Sequence, residues 1–74
     1  MTRYFFDTAA DDRRYRDNHG VELLENEDAM RAALDLLCDL TNIDDLPFSA
    51  TVTVRTHRGS EIGSVTFKRR SSQD

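Results

Sequence analysis

Asn26-Glu27-Asp28-Ala29-Met30-Arg31-Ala32-Ala33-Leu34-Asp35-Leu36-Leu37-Cys38-Asp39-Leu40 is the stretch whose reading decides the fold. Ala29, Met30, Ala33, Leu34, Leu37 and Leu40 recur at i, i+3, i+4 spacing, with Leu36 at the margin of the stripe. Asp28, Arg31, Ala32, Asp35 and Asp39 fall opposite. The spacing predicts one amphipathic helix. Asn26 is the expected N-cap, because its amide oxygen can accept a first-turn N–H. Glu27 and Asp28 then lie where the helix dipole favours negative charge. Asn42 or Asp44-Asp45 is expected to end the helix, and Pro47 forbids its continuation. A lone helix with one apolar face must bury it against something, and a sheet is the available solution.

Strands flank it on both sides. Downstream, Ser49–Thr56 alternates, with Ala50, Val52 and Val54 on one face and Thr51, Thr53 and Arg55 on the other. A two-residue Gly59-Ser60 loop of type II′ would return the chain, since that turn wants Gly first. Such a loop places Val54 opposite Val65 and Val52 opposite Phe67. Upstream, Arg3–Thr8 reads as a strand with Tyr4 and Phe6 on one face and Arg3, Phe5 and Asp7 on the other. Ala9-Ala10-Asp11-Asp12 is a turn, and Arg13–Arg16 returns as a short edge strand whose charge discourages further pairing. Asp17-Asn18-His19-Gly20 is a second turn. Val21 and Leu23 then form a short extended segment leading to the helix.

The element order is β-β-α-β-β: an α+β domain, with a four-stranded, mainly antiparallel sheet covered on one face by a single helix. The Arg13–Arg16 strand is expected at one edge, followed by the Arg3–Thr8 strand, the Ser49–Thr56 strand and its hairpin partner. The expected core is Tyr4, Phe6, Met30, Ala33, Leu34, Leu37, Leu40, Val52, Val54, Val65 and Phe67. Residues 1–74 form one domain, with 68–74 as a polar, frayed tail.

Composition narrows the class. A 74-residue domain buries only about 60% of the surface its unfolded chain exposes. Cys38 is the single cysteine, so no internal disulfide is possible and a reducing, cytoplasmic location is expected. No apolar run approaches the roughly 20 residues of a membrane span. The net charge is −4, unevenly distributed: −1 over residues 1–24, −6 over 25–48 and +3 over 49–74. The overall sign argues against a general nucleic-acid binder, while the asymmetry leaves room for a local basic surface.

Arg3-Tyr4-Phe5-Phe6-Asp7, then Asp17-Asn18-His19-Gly20-Val21-Glu22-Leu23 before an Ala-rich helix, then a Val-rich hairpin over Thr51–Phe67, resemble a family of short bacterial proteins. That family is classed only as a domain of unknown function. The resemblance spans nearly the whole chain. Family members commonly have Pro where Leu24 stands here, and a less acidic helix start. The resemblance implies a fold and carries no activity with it.

No constellation of catalytic residues is evident. His19, His57 and Cys38 are scattered and lack the paired spacing of a zinc site. Cys38, at the edge of the apolar stripe, reads as a small buried hydrophobe. His57 and Ser60 flank a turn and lack walls to exclude water. The pairs Asp11-Asp12 and Asp44-Asp45 lie in loops. No cofactor, metal, membrane contact or small-molecule substrate is expected, and the chain reads as non-catalytic. Two functions remain. One is an interaction or regulatory protein acting through a protein partner or by self-association. The other is a nucleic-acid-binding regulator using the open sheet face with the Arg13-Arg14-Tyr15-Arg16 and Lys68-Arg69-Arg70 clusters. The expected interaction surface is Arg3, Phe5, Arg13, Arg14, Tyr15, Arg16, Arg55 and Ile62. Phe5 and Ile62 are expected on the open face without intrachain cover, where they would favour a weak dimer.

Overall fold

Alternating side chains on the long strands and one apolar helical stripe give the chain two surfaces that must meet. In a computed structural model, which describes residues 1–41 and 47–69, they do so in one helix-on-sheet layer pair. The elements are β1 (Thr2–Ala10), β2 (Arg13–Tyr15), β3 (Val21–Leu23), α1 (Asn26–Thr41), β4 (Ser49–Thr56) and β5 (Glu61–Lys68). The sheet runs β2-β1-β4-β5, β3 also pairs with β1, and all pairings are antiparallel. The expected strand order therefore stands, but there are five strands, not four. Val21–Leu23 is a true strand because β2 covers only Thr8–Ala10 of β1, leaving Thr2–Tyr4 free to pair with it.

The core is Tyr4, Ala29, Ala33, Leu37, Ala50, Val52 and Val54, with Phe6, Met30, Leu36, Leu40, Ile62, Val65 and Phe67 packed around it. Leu34 is a correction: it is 51% exposed, and Leu36 takes its place against the sheet. The buried line Ala29, Ala33, Leu37 sets the helix axis, and Leu34 lies farther round the helix than Met30, beyond the seam. Cys38 lies farther still and is exposed, not buried.

Asn26 does not cap the helix. Ala29 N–H donates to Glu25 O at 3.3 Å, so Glu25 is the capping position, and the Asp28 carboxylate accepts the Glu25 N–H at 3.2 Å. Asn26 instead accepts the Tyr4 hydroxyl at 2.6 Å, fastening the first turn to β1. The expected helix stop at Asn42 or Asp44-Asp45 lies outside the described residues.

The β4–β5 hairpin also departs from expectation. Val52 faces Val65, Val54 faces Gly63 and Ala50 faces Phe67, a register two residues away from the one expected. Thr56 O accepts Gly59 N–H at 2.8 Å, and Thr56 N–H donates to Ser60 O at 2.8 Å. His57-Arg58-Gly59 is thus a three-residue loop, closed by Gly59 at φ 88°. A two-residue slip keeps every side chain on its face, so the apolar pattern could not distinguish the two registers. The ladder then shifts between Val54 and Arg55, with Ile62 as the extra residue. That bulge turns Ile62 toward the core and corrects its placement on the open face. β5 runs on through Lys68, and Arg69 N–H still donates to Phe48 O at 2.7 Å, so the tail does not fray at 68. Residues 70–74 lie outside the described residues.

Candidate interaction surface

The face opposite the helix carries Arg3, Phe5, Asp7, Thr51, Thr53 and Arg55, as strand alternation requires. Arg55 Nε donates to Asp7 Oδ2 at 2.6 Å, and its guanidinium stands 4.6 Å above the Phe5 ring. The same guanidinium donates to Asp17 O at 2.9 Å. Arg3 pairs with Glu22 at 3.0 Å and donates to His19 O at 2.7 Å. Three of the expected surface residues are therefore together, but engaged with their own chain. Phe5, expected to lack intrachain cover, has Arg55 over it and Gly20 beside it.

Asp17 is what sequence reasoning missed. Between β2 and β3 the edge of β1 would be bare at Phe6. There the Asp17 carboxylate accepts the Phe6 N–H at 3.1 Å, and Asp7 accepts the Asp17 N–H at 2.9 Å. Asp17 also accepts the N–H groups of His19 and Gly20, forming a turn that folds back on β1. Gly20 sits at φ 74°, where an added Cβ would lie 2.9 Å from Tyr4 O. The available signal was the Asp-Asn-His-Gly turn itself; its partner on β1 was not legible.

Both carboxylates are held charged. Burial alone raises Asp7, but the Arg55 bond, the Asp17 N–H and the charges of Arg55 and Arg16 outweigh it and leave Asp7 below its ordinary value. Burial likewise raises Asp17, and the three N–H donors Gly20, His19 and Phe6, with the charge of His19, pull it below its ordinary value. Carboxylates locked as anions by fixed partners are poor proton donors.

Beside this network a cleft of about 320 Å³ is lined by Asp7, Thr8, Ala9, Arg14, Tyr15, Arg16 and Thr53. Arg14 lies next to Ala9 on the open face, whereas Arg13 and Tyr15 pair with Ala10 and Thr8 and so face the helix side. Tyr15 is 60% exposed because α1 packs over β3, β4 and β5 and not over β2. Arg13, Tyr15 and Ile62, all expected in the interaction surface, thus lie off the open face. On the opposite edge of the sheet, Lys68 ends β5 and Arg69 lies 5.9 Å over the Phe48 ring; Arg70 lies outside the described residues. Arg13, Ala10, Ala50 and Phe67 share one row, so the two basic clusters are three strand spacings apart, roughly 14 Å.

The far edge itself is a second surface. Arg69, Phe67, Val65 and Gly63 turn their backbone groups to β4. By alternation the N–H and C=O groups of Ser64, Thr66 and Lys68 point away from the sheet. Among the described residues no strand pairs with them. Nor do the described residues hold a group of three or more His, Cys, Asp or Glu able to bind a metal ion, or a helix long and apolar enough to cross a membrane.

A family model covers residues 3–68, from the Arg-Tyr-Phe-Phe strand to the end of β5. The chain belongs to this family, a domain of unknown function (DUF6894). The matched span takes in the helix and the five described strands, except for Thr2 at the start of β1. Comparison with curated proteins and with solved structures found no match.

Proposed function

We propose that this chain is a small, cytoplasmic, non-catalytic interaction module that works through protein contacts. The observation that carries this reading is the contrast between an engaged open face and an unengaged edge. Arg3, Phe5 and Arg55 are tied to Glu22, Asp7 and Asp17, so the face offers no free aromatic platform for bases. Among the described residues no strand pairs with the outer edge of β5, and strand addition to such an edge is a common mode of protein recognition. The proton-bearing groups with shifted affinity, Asp7 and Asp17, are shifted toward permanent charge, which suits structure better than catalysis.

Nucleic-acid binding is the competing reading, and the cleft favours it: Arg14 and Arg16 flank it and have no ion-pair partner among the described residues. A photo-crosslinking residue placed at Thr66 or, separately, at Arg14 decides between them in living cells. The protein reading expects protease-sensitive adducts at Thr66. Nuclease-sensitive adducts at Arg14, weakening steeply with salt in a parallel gel shift, would replace it with the nucleic-acid reading.

A further inference from the structure

We propose that the β5 edge binds the β5 edge of a second copy, antiparallel, about a two-fold axis at Val65. This rests on the protein-interaction reading and names its partner. The outward backbone groups belong to Ser64, Thr66 and Lys68, so a symmetric antiparallel pairing can only be centred on one of a few residues. Centring on Val65 sets Ser64 against Thr66 of the second copy, exchanging backbone hydrogen bonds on both sides of the axis. Val65 then meets Val65, and Phe67 lies opposite Gly63, beside the Met30 thioether that covers that glycine. On the open face, Lys68 falls opposite Ile62 of the second copy, whose side chain the bulge turns to the other face, so the neighbouring Glu61 is the nearest charge. Lys68 and Glu61 both stand on the open face, because Glu61 pairs with Arg55 and Lys68 with Ser49. Opposite charges therefore meet twice, once at each end of the joint. Moving the centre to Ser64 would set Val65 against Gly63 and give up the Val65 pair, and moving it to Thr66 would carry Lys68 away from Glu61.

Leu34 supplies the independent support. β3 and β4 are both antiparallel to β1, so the helix that joins them runs back in the direction of β5. The Met30 thioether lies 3.0 Å from the position of a Cβ on Gly63. One helical turn later, about 6 Å, Leu34 reaches the level of Val65 on the same flank. Leu34 is the helix's exposed leucine at 51%, and it stands beside the proposed axis, where two copies bring two such leucines together. An eight-residue strand and one leucine per copy make a small interface, so the association is a concentration-dependent equilibrium.

Sedimentation equilibrium of the whole chain across a hundredfold concentration range, at physiological salt, is the test. The expected result is a shift from 8.5 kDa to twice that mass. Leu34→Ser is expected to raise the dissociation constant at least tenfold while leaving the monomer's melting temperature in place. Thr66→Pro removes an outward N–H, leaves the β4 ladder intact and is expected to abolish the dimer. Lys68→Glu is expected to weaken it, and Lys68→Glu with Glu61→Lys to restore it. A single 8.5 kDa species throughout, or a dimer that survives Leu34→Ser and Thr66→Pro alike, overturns the proposal. A monomer whose Thr66 crosslinks to a different protein overturns the self-pairing and leaves the interaction reading standing; nuclease-sensitive adducts at Arg14 overturn that reading instead.

Discussion

The two edges of this sheet solve the same problem in opposite ways. On one side β1 is flanked by two strands of three residues each, β2 and β3, interrupted by a turn. The interruption is filled: the Asp17 carboxylate takes the Phe6 N–H that a longer neighbour would have taken, and Arg55 and Asp7 lock the turn from the open face. Exposed arginines at 13, 14 and 16 add charge to that side. On the other side β5 is eight residues long and regular after its bulge, and its charges stand only near its ends. Short broken strands and charge are the usual protection against edge pairing. One edge has that protection, and among the described residues the other lacks it.

The largest expected effect removes what both edges rest on. Leu37 is buried in the seam, and Leu37→Ala should destabilise the chain by about 2–5 kcal/mol, read from denaturant melts. Next comes the sealed edge alone. Gly20→Ala introduces a Cβ 2.9 Å from Tyr4 O at a positive φ and should cost roughly 2–4 kcal/mol, with accelerated amide exchange at Phe6. Asp17→Ala leaves the Phe6 N–H without its partner and should cost about 1–3 kcal/mol, with loss of order over the same turn.

Acid sharpens the contrast further. The folded values of Asp7 and Asp17 both lie below the ordinary 3.8. Their stabilisation is therefore fully present above that value and is lost as pH falls through the folded values beneath it. Amide exchange followed down the acid limb should show the β1 edge at Phe6 opening before β4, and Arg55→Ala should move that opening to higher pH. The smallest effect belongs to the open edge: Leu34→Ser should change monomer stability by less than about 0.5 kcal/mol, since an exposed side chain gives up little. A large loss of monomer stability there would mean that Leu34 already has intrachain cover.

Some of this was written in local pattern alone. One-residue alternation over Arg3–Thr8 and Ser49–Thr56 determined which side chains share a face, and the helical spacing determined that a single helix covers it. Strand order followed, because one covering helix and antiparallel neighbours leave little choice. What alternation cannot carry is anything that preserves it. The β4–β5 register differs from expectation by two residues, and that slip is invisible to a period of two; the turn decided it, through Gly59 at φ 88°. The bulge at Ile62 reverses one side chain, which no pattern on a single strand announces. Asn26 looked like a cap because Asn commonly is one, yet the Tyr4 hydroxyl across the domain competed for its amide and won. Asp17 has the composition of a turn residue, and its second role, sealing the edge of β1, exists only once β2 and β3 have been brought to either side of Phe6. Local preference determined the elements and their faces. Contacts between residues ten or more positions apart decided the helix cap and the sealing of the β1 edge, because those depend on where a hydrogen-bond partner arrives in space.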